Sequence, residues 1–116
     1  MKTLQTSQMD FTSSEQSKRL LELGVPADSA NMHYHQECVR MKYGKEEFEY
    51  FLRCGKPDTN KYSTDIPSWS VGRLIKIYFI CSYQPEILID YTMEDLVDYL
   101  VSLFESVAMN FSKLEE

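Results

Sequence analysis

The sequence predicts a small α+β domain in which a β-hairpin and one further strand form an antiparallel sheet packed with three helices. The predicted order is helix, short helix, strand, strand, helix, strand, helix. Three observations lead there. Runs of alternating charged and apolar residues flank Gly44-Lys45, helix start and stop signals punctuate both ends of the chain, and Ile87, Ile89 and Tyr91 fall at alternate positions that would point inward from a strand. A chain of 116 residues has room for one core. We therefore read residues 1–11, polar and aperiodic, as a flexible arm and 12–116 as a single domain.

Thr12-Ser13-Ser14-Glu15 reads as a capping box, with the Thr12 hydroxyl closing the first turn and Glu15 reaching back to it. Leu20, Leu21 and Leu23 follow, and Gly24 with Pro26 makes a strong stop, which predicts a helix over Ser13–Leu23. Pro26–Ala30 reads as one more short turn with Pro at its first position. The hairpin strands are expected near Gln36–Tyr43 and Glu46–Arg53, around a type II′ turn at Gly44-Lys45. That register sets Lys42 against Glu47, Arg40 against Glu49, Met41 against Phe48 and Val39 against Tyr50, giving one charged face and one apolar face. A helix over Lys45–Cys54 competes, because Phe48, Phe51 and Leu52 also fall at helical spacing, but the charge register favours strands.

Residues 55–66 are rich in turn formers and predict a long surface loop. Ser70 starts the next helix, over Val71–Phe79, with Trp69 and Leu74 placed as a hydrophobic staple. Pro85 precedes a strand over Glu86–Tyr91. Thr92 reads as the cap of the last helix, with Asp95 at its third position. The apolar arc of that helix takes in Tyr99, Val101, Leu103 and Ala108 beside the main stripe from Met93 to Phe111. Such width calls either for burial beneath other elements or for a homodimer seam.

The net charge of −6 argues against nucleic acid as a partner, since phosphate binding needs a basic surface. Three widely spaced cysteines, Cys38, Cys54 and Cys81, suit neither a disulfide framework nor paired zinc ligands and fit reduced thiols in a cytoplasmic protein. No segment has the length of a membrane span and the first residues lack a signal-peptide core, so no membrane partner is expected.

His33, Tyr34, His35 and Cys38 invite a metal reading. A strand puts His33 and His35 on one face and Cys38 on the other, a helix unites only His35 with Cys38, and neither gathers all three. Cys54 could complete a set only by folding back beside Cys38. No metal or cofactor is therefore expected, and a Cys–His nucleophile lacks a visible orienting group. Glu46, Glu47 and Glu49 are better read as cross-strand ion-pair partners than as paired acid–base carboxylates. The helix–Gly–helix outline of residues 13–35 suggests a helix-turn-helix, yet its second segment (PADSANMHYH) has no Lys or Arg.

Three blocks, EQSKRLLELGVPADSA at Glu15–Ala30, IPSWSVGRL at Ile66–Leu74 and LVDYLVSLFE at Leu96–Glu105, resemble a group of small uncharacterised proteins of gut Bacteroides-type bacteria, their phages and mobile elements. The resemblance implies an accessory, intracellular protein and transfers no catalytic or binding residue. The leading expectation is a small non-enzymatic protein-interaction module with an unidentified protein partner, or a homodimer. Its surface is expected around Tyr62 and Trp69, or around Tyr99 and Leu103. The alternative is a nucleic-acid-associated accessory protein, which would need Lys18, Arg19, Arg73 and Lys76 to converge.

Overall fold

The computed structural model of the chain describes residues 10–83, 92 and 95–115. It is a small α+β fold. In chain order come α1 (Ser14–Leu23), a 3-10 turn (Ala27–Ser29), β1 (Met32–Lys42), β2 (Lys45–Cys54), β3 (Ile66–Ser68), α2 (Val71–Cys81), α3 (Leu96–Ser106) and a second 3-10 turn (Phe111–Glu115). The three strands form one antiparallel sheet in the order β2-β1-β3. The expected strand at Glu86–Tyr91 lies outside the described residues. The third strand described comes instead from Ile66–Ser68, at the end of the expected loop, where Met32 pairs with Ser68 and Tyr34 with Ile66. Pro67 is tolerated there because β3 is an edge, where a missing N–H leaves no ladder bond broken on the outer side.

Helix α1 starts one residue later than the sequence suggests. Ser13, not Thr12, is the cap, and its hydroxyl accepts from the Gln16 N–H while the Gln16 side chain accepts from the Ser13 N–H. Gly24 ends the helix at φ 102°, where an L side chain would be strained. The expected short turn after Pro26 is a 3-10 turn rather than α-helix, and it leads directly into β1. That excludes a helix-turn-helix. Helix α2 begins after Ser70 as predicted, with the Ser70 hydroxyl accepting from the Arg73 N–H, and Trp69 and Leu74 are both wholly buried. Helix α3 begins at Leu96, so Thr92 is not its cap; Asp95 takes that position without a side-chain hydrogen bond. It stops at Ser106, and Phe111 belongs to the following 3-10 turn.

The core sits among the three helices. Leu20 of α1, Leu74, Ile77, Tyr78 and Cys81 of α2, and Val97, Leu100, Val101 and Phe104 of α3 close around Trp69. The wide apolar arc of α3 is thereby explained as burial. Phe111 folds back so that its ring lies 6.2 Å from that of Phe104. Across the surface, Arg19 of α1 donates to Glu105 at 2.5 Å and to Asp98 at 3.2 Å, tying α1 to α3.

The N-terminal segment is joined to this body from Asp10 onward. Val71 donates to the Asp10 carbonyl at 2.8 Å and Phe11 bridges Ser70, so the expected free arm does not extend to residue 11. Thr12, fully buried, is the centre of a hydroxyl knot. Its Oγ1 lies 2.7 Å from Ser17 Oγ and 3.3 Å from Ser68 Oγ, and it accepts from the Trp69 N–H at 3.0 Å.

Candidate functional site

Two features of the described residues stand apart from the packed body. The first is the hairpin. β1 and β2 pair along almost their whole length, yet no described side chain of either strand is buried. The molecule is drawn out to 56 Å in its longest dimension against 20 Å in its shortest. The hairpin register differs from the expected one. Lys42 pairs with Lys45, so the turn is Tyr43-Gly44 and not Gly44-Lys45. Both turn residues have positive φ, 53° and 76°, which is a type I′ rather than a type II′ turn. Arg40 consequently faces and ion-pairs with Glu47, not Glu49. An irregularity between Cys38 and Arg40 then leaves Val39 as the extra residue of a bulge, after which Cys38 opposes Phe48 and Gln36 opposes Tyr50.

The two faces of the hairpin differ in chemistry. One carries Arg40, Glu47, Glu37 and Arg53, neutralised as the pairs Arg40–Glu47 and Arg53–Glu37. The other carries Met41, Phe48, Tyr50 and Leu52; Met41 is 64%, Phe48 49% and Tyr50 45% exposed. The outer edge of β2 is not paired by any described strand.

The second feature lies where the hairpin leaves the body. His33 and His35 share one face of β1, as the strand alternation predicts, and Cys38 does not join them; its thiol points to the Arg40 carbonyl. Cys54 is no substitute: it pairs with Met32, one step from the His33–Arg53 pair, so alternation puts it on the other face, and it does not lie beside Cys38, which opposes Phe48. The third member is Asp65, at the end of the loop. Continuing the β1–β3 register by one step places it opposite His35. Its Oδ1 lies 2.8 Å from His35 Nδ1 and its Oδ2 lies 3.9 Å from His33 Nε2. One donor atom from each of the three residues falls within 4.8 Å of the others.

The loop itself is wound onto Asp65 by side-chain-to-backbone bonds. The Asp58 N–H donates to Asp65 Oδ2, the Asn60 N–H to Asp58 Oδ1, the Tyr62 N–H to Asn60 Oδ1, and the Asp65 N–H to Ser63 Oγ. Burial pushes the Asp65 carboxyl up, but the Asp58 N–H and the two histidines outweigh it and hold the group below the usual carboxylate range. His33 is fixed from behind. Gly55, at φ 103°, turns its carbonyl to 2.9 Å from His33 Nδ1, which therefore carries the proton and leaves Nε2 facing Asp65.

The residues expected to form an interaction surface do not come together. Trp69 is wholly buried, its indole N–H donating to Ser29 Oγ at 3.0 Å, and Leu103 is buried beside it in the core. Tyr99 packs against that core partly buried, and only Tyr62 is open, at 81% exposure. Trp69 and Leu103 both belong to the core that α1, α2 and α3 close, so neither is available to a partner. Of the four cations needed for a nucleic-acid face, Arg19 is neutralised by two carboxylates and Arg73 donates to the Ser29 carbonyl at 2.7 Å. Asp65 was not singled out from sequence, since its signal, alignment with His35, exists only once the β1–β3 register is known. The chain matches no family model, no curated protein and no solved structure. Among the described residues, no helix is long and apolar enough to cross a membrane.

Proposed function

We propose that this protein is a small non-enzymatic interaction module whose projecting hairpin docks on a second copy of the same chain. The observation that carries this reading is the outer edge of β2, ten residues with no bulge, no proline and, among the described residues, no covering strand. A long edge of that kind is a template for pairing with another strand. An exposed two-stranded ribbon is marginal in water, and added strands with a shared apolar face stabilise it.

The sequence of β2 is self-complementary about Tyr50. Two antiparallel copies set with Tyr50 opposite Tyr50 place Phe48 against Leu52 on one face and Glu47 against Arg53 on the other. The two sheets then become one, with Phe48, Tyr50 and Leu52 of both copies in a continuous apolar strip. Charge permits the approach. Residues 36–53 hold four basic and four acidic side chains, so the hairpin is neutral although the chain carries −6. The expected dimer seam on α3 is thus moved to the hairpin, since Val101 and Leu103 are already covered. Exposed, unpaired Cys38 and Cys54 suit a reducing compartment such as the cytoplasm.

Sedimentation equilibrium from 1 to 100 µM (roughly the range of weak, specific dimers) tests this. The expected result is a species of twice 13.6 kDa that dissociates on dilution, with Tyr50→Lys at the symmetry axis weakening association at least about tenfold (about 1.4 kcal/mol). A monomer throughout the range, or a dimer indifferent to Tyr50→Lys, would overturn the proposal.

A further inference from the structure

We propose that His33, His35 and Asp65 form a binding site for one divalent transition-metal ion of the zinc class, at the root of the hairpin. The donor set is two imidazoles and a carboxylate, which suits borderline ions such as zinc and is the composition of three-ligand zinc sites that keep a further position open. The positions come from two different elements brought together by strand pairing. His33 and His35 stand on one face of β1, and Asp65 lies across from His35 at the approach to β3.

Each donor is already oriented. His33 has its Nδ1–H committed to the Gly55 carbonyl, so the nitrogen with the free electron pair is Nε2. Backing one ring nitrogen with a carbonyl so that the other can ligate is the usual outer arrangement of a metal-bound histidine. Asp65 is held by the Asp58 N–H and aims one oxygen at each imidazole. The 3.9 Å between Asp65 Oδ2 and His33 Nε2 is too long for a hydrogen bond. It is close to the roughly 3.4 Å that separates two ligands on a tetrahedral ion with bonds of about 2.1 Å. The two rings stand nearly perpendicular, at 85°, with centroids 6.2 Å apart, leaving their nitrogens convergent and the rings clear of one another. On binding, the ion displaces the proton held between His35 Nδ1 and Asp65 Oδ1, which leaves to solvent, and those two atoms part from 2.8 Å to the same roughly 3.4 Å ligand separation. The side chains of Asp65 and His33 are 8% and 14% exposed while that of His35 is 51% exposed, so the ion enters from the His35 side and retains water there.

The chain contains no other histidine, which makes the test clean. Tag-free protein carrying Cys38→Ser and Cys54→Ser, to remove the exposed thiols, is titrated with zinc chloride by calorimetry and in parallel by nitrogen-15 NMR of the imidazoles. The expected result is one equivalent bound, with His33 Nε2 and His35 Nδ1 as the shifted nitrogens. His35→Ala and Asp65→Asn should each weaken binding at least about tenfold, in line with loss of a ligand or its orienting partner. The NMR readout uses the unaltered site, so the proposal remains decidable if Asp65→Asn unfolds the loop. Absence of a saturable equivalent, shifts at the opposite ring nitrogens, or affinity unchanged in His35→Ala would overturn it. None of these outcomes depends on whether the hairpin dimerises.

Discussion

Thr12 shows how much a single hydroxyl can hold. Its side chain touches Ser17 of α1 and Ser68 of β3 and accepts from the Trp69 N–H, while its carbonyl accepts from Tyr34 of β1 at 2.8 Å and from Ser68 Oγ at 2.9 Å. All three hydroxyl residues are fully buried, so each depends on the others for hydrogen bonding. Thr12→Val keeps the shape and removes the hydroxyl, leaving the Trp69 N–H without its acceptor and Ser17 without its partner. An orphaned buried polar group costs about 1–3 kcal/mol. We therefore expect Thr12→Val to lower unfolding free energy by about 2 kcal/mol in urea melts, and Thr12→Ser to lose far less. Equal stability of Thr12→Val and the parent would show that the knot contributes nothing. The same residue marks a limit of sequence reading. Thr12, Ser13 and Ser14 are all acceptable caps, and what selects Ser13 is the demand for Thr12 elsewhere, from residues 56 and 57 positions away.

At the scale of elements, α1 and α2 were legible because caps and stops are local chemistry, written within four residues of the event they cause. The hairpin was legible as a hairpin and misplaced by a step. Charge pairing favoured Gly44 as the first turn residue, but Gly44 is the second, and Tyr43 takes the first place at φ 53°. An aromatic residue there defeats a rule that looks for Asn or Gly. The bulge at Val39 then breaks any single register sum for the whole ribbon. β3 escaped notice because three residues containing a proline carry almost no strand signal. Asp65 escaped with it, and so did the meeting of both histidines with a carboxylate. The left-handed conformation costs an ordinary L residue about 1–2 kcal/mol, and Asn much less. Tyr43→Asn should therefore slow amide exchange across residues 36–53 several-fold, by removing part of that strain from the tip. Unchanged exchange there would mean that the turn does not limit ribbon stability.

For the whole molecule, the packed helices and the exposed ribbon answer to different forces. The body rests on apolar burial around Trp69, closed on one side by the Arg19–Asp98–Glu105 network. The hydrogen bond from Arg19 holds the Glu105 carboxyl below its usual range, outweighing desolvation, which acts the other way. A group depressed in the folded state contributes stability above its unfolded value, about 4.3 for glutamate, and loses it as pH falls through the folded value. Arg19→Ala should thus lower the melting temperature at pH 7, and the gap from wild type should narrow from about pH 4.3 downward and close as pH falls through the lower folded value. A gap equally wide at pH 3 and pH 7 would exclude a carboxylate origin. Because both side chains are more than a third exposed, the effect at neutral pH is the small one of a solvent-screened surface pair.

The fastening of the loop to β1 by Asp65 has a mechanical meaning. It sits at the fulcrum of a lever whose free end is Tyr43, 93% exposed. Eight residues of strand at about 3.3 Å each give a lever of roughly 26 Å, so a tilt of about 10° at the histidines sweeps the tip through roughly 4–5 Å, about the spacing between neighbouring strands. Whatever grips or releases that fulcrum decides where the tip arrives.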